Sequence, residues 1–249
     1  DMPWAEAGYA ACKEQLFLQP AAVTTLDKTS LAGKKLKTSR DKSGHLIVKG
    51  RGFKAEFDPA QGTLYRLRYH GKDAFVPGQG PRLNAFRALT NNDGWAYRQW
   101  FAQGLHNLRH SASGGSVVAL ENGALRIGYT IESQAPNGAH LEGSYASATC
   151  AVVEDTAKTD VMKFTSRVAW TVYPSGWISL RSEIASDHPE VPLPRLGYVM
   201  QVPSADGQMT YYGRGPMENY SDRYTCAFVG KYSGPVKEQV ANYTKPQEM

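Results

Sequence analysis

The sequence is poor in most of the features that announce a function. Its three cysteines, Cys12, Cys150 and Cys226, are odd in number and show no C-x-x-C spacing, which argues against a disulfide framework and against a zinc site. No apolar run approaches the roughly 18 residues of a membrane span, and the leading DMPWAEAGYA is not a secretory signal. No repeat of about 20 to 50 residues is visible, and helical periodicity is almost absent. There is no G-x-S-x-G nucleophile elbow, and Cys150 is read as a strand residue among apolar neighbours, a poor setting for a reactive thiol. The charge of +5 is spread thinly, and its one cluster, GKKLKTSRDK at 33–42, includes Gly33, Ser39 and Asp41. That composition suits a solvated loop, so neither a nucleic-acid nor a membrane partner is expected.

What the chain does have is alternation. A hydrophobic content of 41% over 249 residues is enough for a substantial core. In VMKFTSRVAWTVY, Met162, Phe164, Val168, Trp170 and Val172 fall on one face, and Lys163, Thr165, Arg167 and Thr171 on the other, the period of a half-buried strand. WISLRSEI repeats it, and the YPSG turn at 173–176 joins the two into a predicted hairpin. Further short strands are read in LIVKG, GFKAEFD, GTLYRLRYHGKDAFV, ALRIGYTIES, SATCAVV, LGYVMQV and QMTYYG. Turn signals recur about every 8–12 residues, so the class is an all-β antiparallel sandwich. GWAYRQWFAQGLHNLRH is the one stretch read as helical or irregular, and LFLQPAAV is read as the end of a leading strand with a soft boundary near residue 20.

Three stretches carry candidate chemistry. YYGRGPMENYSDR begins like a phosphate loop, but Pro216 follows Gly215 and Glu218 occupies the third glycine position, which a dinucleotide cannot accept. Gly213 and Gly215 are instead read as supplying unusual dihedrals at a strand end, with Pro216 stiffening the exit. In FRALTNNDGW, Asn91, Asn92 and Asp93 bring amides beside a carboxylate, next to Trp95. That set suits a sugar, whose hydroxyls need polar partners and whose apolar face stacks on a ring. It equally suits an Asx turn ending at Gly94 with Trp95 in the core. His106 and His110 have the spacing of zinc ligands on a helix, but no glutamate follows the first and no third ligand is close in sequence, so packing or surface roles are expected. Glycoside hydrolysis needs two carboxylates at a defined separation, and the spacing of the 23 acids designates no such pair. Two glycosylation sequons, at Asn219 and Asn242, would matter only in a secreted eukaryotic protein.

Taken in order, four segments resemble the C-terminal, small-chain region of the glycoside hydrolase family 2 β-galactosidases. PWAEAGYAACKEQLFL is similar to the exit from that family's second immunoglobulin-like domain, and NAFRALTNNDGW to its aromatic-Arg…Thr-x-Asn-Asp step, which includes Arg87. YYGRGPMENYSDR matches its Gly-x-Gly-Pro-x-Glu-Asn-Tyr-x-Asp-Arg segment at Gly213, Gly215, Pro216, Glu218, Asn219, Tyr220, Asp222 and Arg223, and YTKPQEM is similar to the tract that follows. The resemblance is collinear from residue 3 to residue 249 and implies residues 1–20 as the end of the preceding domain or a linker strand. Residues 21–249 would then be a large antiparallel supersandwich of the galactose mutarotase type, truncated at its C-terminus.

The resemblance implies a retaining hydrolase of terminal β-D-galactosides such as lactose. Its two catalytic glutamates, and most of its magnesium and sodium ligands, lie on an upstream (β/α)₈ barrel. The chain itself would then hold no catalytic residue, no metal and no cofactor, and alone would be inactive. Asn92, Asp93 and Trp95 are the candidates for approaching a galactose or β-galactoside at the active-site mouth. Set against the family pattern, the resemblance implies a shortened loop after Asn92 and Asp93, and the family's substrate-stacking tryptophan would lie beyond Met249. The implied partners are the upstream barrel and immunoglobulin-like domains and further copies of the same enzyme, in a bacterial cytoplasm or periplasm. The alternative is a free-standing carbohydrate-binding or mutarotase-like module with an acid/base pair, for which His140 with Glu142 and His188 with Glu190 are the pairs close in sequence.

Overall fold

The alternating segments fold into antiparallel strands in the computed structural model, which describes residues 3–18, 31–143, 150–203, 207–216 and 224–239. The chain divides into two compact units, Thr25–Pro203 and a second built from Asp1–Thr24 with Ser204–Met249. No helix among the described residues is long and apolar enough to cross a membrane.

In the larger unit, β1 (Lys37–Arg40), β2 (Leu46–Gly50), β3 (Phe53–Asp58), β4 (Thr63–Tyr69) and β5 (Lys72–Asp73) form a meander in sequence order. After β6 (Arg82–Asn84) come a 3-10 turn at Asn91–Trp95, the short α-helix α1 (Tyr97–Ala102), and a second 3-10 turn at Leu105–Asn107. Next are β7 (Arg109–Ala119), β8 (Leu125–Gln134), β9 (Gly138–Glu142), β10 (Ala151–Asp155), β11 (Lys163–Val172), β12 (Ile178–Ser186) and β13 (Gly197–Val199). The second large sheet runs β12-β11-β8-β7, while β9 pairs with β10 and β6 with β13.

The two large sheets face each other because each has one apolar side. Val48, Ala55, Phe57, Leu64 and Leu67 of the first form one core with Ile127, Tyr129, Val168, Trp170 and Val172 of the second, the alternating inward residues of a β-sandwich. Trp170 fixes the approach of the sheets. Its ring lies edge-on to Phe57 at 5.9 Å, and its Nε1–H donates to the Gly62 carbonyl at 3.1 Å. Gly62 turns with φ +66°, and a Cβ there would stand 2.9 Å from Ala112 and Ile131. A second core joins Leu83, Tyr97, Trp100, Phe101 and Leu105 to Met162 and Phe164. α1 therefore closes one part of the sandwich by burying its aromatic stripe.

The predicted hairpin is present, with β11 and β12 in register from Phe164↔Ser186 to Val172↔Ile178. Gly176 N–H donates to the Tyr173 carbonyl across the turn, at 2.9 Å. Three sequence expectations are corrected. The described part of LFLQPAAV lies in no strand: none is assigned within residues 3–18, Leu16, Phe17 and Leu18 are exposed, and the rest of the tract lies outside the described residues. The pairing there comes from a side chain, since the Gln15 amide donates to the Val229 carbonyl (2.8 Å) and accepts from the Val229 N–H (2.7 Å), standing in for a strand residue. Cys150 lies just before β10 and is exposed, and no disulfide joins the three cysteines.

The third correction concerns the glycines of YYGRG. In the smaller unit β14 (Gln208–Gly215) pairs with β15 (Phe228–Pro235), placing Tyr211 opposite Tyr232. Gly213 and Gly215 lie inside β14, and neither has a positive φ. What Gly215 supplies is space: a Cβ there would stand 2.2 Å from the Tyr211 hydroxyl and 2.9 Å from the Tyr232 ring. The two rings pack 5.5 Å apart along the hairpin, and the Tyr232 hydroxyl donates to the Phe228 carbonyl at 2.7 Å. Gly215 is thus a close-approach glycine within a strand. Glu218, Asn219, Tyr220, Asp222 and Arg223, with Asn242 and the YTKPQEM tract, lie outside the described residues.

Candidate functional site

The segment after β6 must leave the sheet and enter α1 within a dozen residues, and a buried carboxylate holds that path. Thr90 and Asp93 form a reciprocal capping box around the 3-10 turn, with the Thr90 N–H donating to Asp93 Oδ2 at 2.7 Å. Such a box satisfies backbone donors that a helix start leaves unpaired. Arg87 completes the lock, donating from Nη1 to Asp93 Oδ2 at 2.7 Å and from Nη2 to Oδ1 at 2.9 Å. This is the bidentate fork that makes guanidinium–carboxylate pairs strong.

Asp93 is 4% exposed. Burial by itself would raise its pKa, but the Arg87 guanidinium and the Thr90 N–H outweigh that and hold the carboxyl below its ordinary value. Arg87 also lies over the Trp100 ring, 5.7 Å from its centroid, a cation–π contact. Trp100 is anchored by its Nε1–H to the Pro192 carbonyl at 2.7 Å.

On this base the turn presents exposed groups. Trp95 is 74% exposed and meets Trp100 edge-on at 6.5 Å, and Asn92 is exposed on the same turn. The structure therefore separates the cluster into two jobs. Asp93 has both carboxylate oxygens committed to Arg87 and Thr90, while Trp95 turns a ring face to solvent and Asn92 is exposed beside it. The sequence reading of this cluster missed the contributions of Thr90 and Trp100. The T-x-x-D spacing of a capping box was the available signal for Thr90, whereas nothing local marks Trp100, whose partners are distant in sequence.

The remaining candidates do not converge. His106 sits in the second 3-10 turn and His110 on β7, so they share no helix face. His106 packs against Phe86 and Phe101, and His110 Nδ1 lies 2.8 Å from Ser133 Oγ. Burial pushes both imidazoles below the usual histidine range, and nearby Arg82 adds to this at His110, while Glu154 partly opposes it at His106. His140 and Glu142 stand 3.8 Å apart with both side chains more than half exposed. His188 pairs with Asp187 at 2.9 Å, so a hydrogen bond to that neighbour, chiefly, raises its pKa.

Among the described residues, Asp41, His45 and Glu56 bring three potential metal-ligand atoms within 4.8 Å. They do not suit magnesium or sodium. Asp41 Oδ1 already accepts the Ser43 and His45 N–H groups, His45 Nδ1 lies 3.2 Å from Asp41 Oδ2, and Lys54 Nζ lies 2.6 Å from Glu56. Magnesium requires a near-octahedral set of oxygens, several of them water, and here a lysine takes the cation's place.

Comparison with known proteins gives this geometry its family. A model of the β-galactosidase small chain matches residues 49–249. β-Galactosidases of Priestia megaterium and Vibrio cholerae are each 28% identical to the chain, over 249 and 253 residues, and one of Psychromonas ingrahamii is 24% identical over 267. All three alignments cover 100% of this chain but only 21%, 22% and 23% of the respective relatives. The match takes in the Arg87–Asp93 lock, Asn92 and Trp95, as well as β14 and β15, and the chain belongs to the β-galactosidase small-chain family.

Proposed function

We propose that this chain is the C-terminal domain of a bacterial β-galactosidase that hydrolyses terminal non-reducing β-D-galactosides with retention, and that it shapes the mouth of the active site without supplying a catalytic carboxylate. The observation that carries the reading is the exposed Trp95 beside Asn92, on a turn held by Arg87, Asp93 and Thr90, in a chain of the β-galactosidase small-chain family.

In a retaining glycosidase one carboxylate attacks the anomeric carbon, and a second about 5–5.5 Å away first protonates the leaving oxygen and then activates water. Both are assigned here to an upstream barrel, together with the magnesium and sodium sites. No step is assigned to a carboxylate or metal of this chain. Its own contribution is positional. The ring of Trp95 offers an apolar face to a sugar, and the exposed Asn92 side chain brings an amide that can meet its hydroxyls. Asp93 holds both in place through the capping box. The partners proposed are the upstream barrel and immunoglobulin-like domains and further copies of the enzyme, in the cytoplasm or periplasm.

Kinetics of the complete enzyme test this reading. Trp95→Ala is expected to raise KM for lactose by about 5- to 30-fold, the loss of one stacking contact, with a smaller change in kcat. Asn92→Ala should act in the same direction and less strongly. Unchanged KM in both variants, with the enzyme correctly folded, would remove Asn92 and Trp95 from the active-site mouth.

A further inference from the structure

A cavity in the larger unit, of about 440 Å³, is lined by Arg82 and Asn84 of β6, by His106 and Asn107 of the second 3-10 turn, by Arg109 and His110 of β7, and by Gln61. Its charged groups are two guanidiniums, which can only donate, beside amides and imidazoles that can do either. No aspartate or glutamate lines it, and its other walls are mostly aliphatic. It differs from the Asn92–Trp95 turn, where an exposed indole offers a face for stacking, in pairing two guanidinium groups with no tryptophan, tyrosine or phenylalanine.

The arginines of this cavity also lack counter-charges among the described residues. Among the described residues neither Arg82 nor Arg109 is within ion-pair distance of a carboxylate, and the one side-chain partner of half-buried Arg82 is the neutral Gln79 amide oxygen. Arginine remains charged at any physiological pH, and a half-buried charge without a partner is costly. His106 adds a second anomaly. Both of its ring nitrogens are buried without a hydrogen-bond partner, and the Glu154 carboxylate stands 3.7 Å from Nε2.

We propose that this cavity binds a small ligand carrying an oxyanion, a phosphate, sulfate or carboxylate, with Arg82 and Arg109 holding the anionic group and His106 and Asn107 meeting its body. Guanidinium groups match the geometry of such anions. The volume lies within the range of small-ligand sites, about 300–1,000 Å³, and so has room for an oxyanion attached to a body of monosaccharide size. The site is distinct from the Asn92–Trp95 turn, and the inference does not rest on the galactosidase reading.

The test is direct binding to the isolated chain. Inorganic phosphate, galactose 6-phosphate and galacturonate are titrated at neutral pH, with galactose as the uncharged control, and followed by calorimetry and by the ring resonances of His106 and His110. Saturable binding of the anions is expected, tighter for galactose 6-phosphate than for phosphate, with both histidine signals moving. Arg82→Gln and Arg109→Gln should each weaken it by about tenfold or more, while Arg181→Gln, on β12 and paired with Glu183 at 2.9 Å, should leave it unchanged. Because Arg109 is exposed, its substitution keeps the test valid even if Arg82→Gln fails to fold. No saturable binding of any anion, equal binding of galactose, or binding indifferent to Arg109→Gln would overturn the proposal. Galacturonate binding without phosphate binding would assign the site to carboxylates and keep it.

Discussion

Asp93→Ala is expected to destabilise the larger unit by about 3 kcal/mol, the scale for removing one member of a buried ion pair. The substitution strips the Arg87 guanidinium of both hydrogen bonds to Asp93 and leaves the N–H of buried Thr90 without its acceptor. Asp93→Asn keeps one acceptor for Thr90 and loses the charge, so it should fall between wild type and alanine. Urea unfolding at neutral pH measures both.

The same site sets an acid dependence with a definite sign. The folded carboxyl of Asp93 titrates below its ordinary value. Its stabilisation is therefore complete above the unfolded carboxylate pKa of about 3.9 and is lost as pH falls through the lower folded value. Asp93→Asn should flatten the acid limb of the stability profile and leave the neutral-to-alkaline limb unchanged in slope. The depressed carboxyls of Asp41, Asp73 and Asp187 would maintain the remaining slope. An acid limb identical to wild type, or a loss below about 1 kcal/mol for Asp93→Ala, would mean that the lock contributes little.

Trp170→Ala should be still more costly, about 3–5 kcal/mol, because a large buried ring leaves a cavity that neighbouring strands cannot fill. Trp170 is 4% exposed, lies between the two large sheets, and touches Phe57 from the opposing one. Trp170→Phe separates its two contributions. It keeps much of the apolar area but removes the donor to the Gly62 carbonyl, a loss of about 1–3 kcal/mol if that group is left unsatisfied. Calorimetric unfolding of the three proteins should place phenylalanine between tryptophan and alanine. A phenylalanine variant as stable as wild type would show that area alone accounts for Trp170.

How much of this was legible from residues depended on whether a structural cause was local. The β11–β12 hairpin was, because Phe164, Val168, Trp170 and Val172 alternate cleanly and YPSG can only turn. β7 was not. Its sequence, RHSASGGSVVA, forms a sheet edge, carries two glycines where its register shifts, and buries no apolar face, so no period marks it.

Gly215 was misassigned for a different reason. Sequence shows a glycine but not whether conformation or a neighbour requires it, and here the requirement is the pair of rings from Tyr211 and Tyr232. The FRALTNNDGW cluster was visible as polar groups beside an aromatic, yet the division of labour within it depended on Arg87. Once Arg87 takes both oxygens of Asp93, that carboxylate is committed to the turn, and Asn92 and Trp95 are left exposed. The oxyanion cavity left no trace in sequence, since Gln61 comes from the turn between β3 and β4, Arg82 from β6 and Arg109 from β7.

The most direct test of the account is the rate of o-nitrophenyl β-galactoside hydrolysis by the purified chain, alone and after mixing with a fragment supplying the upstream part of the enzyme. The account predicts no turnover by the chain alone and activity on mixing, because the reacting carboxylates come from the other fragment. Turnover by the chain alone would contradict it, and would require a catalytic pair among its own 23 acidic residues.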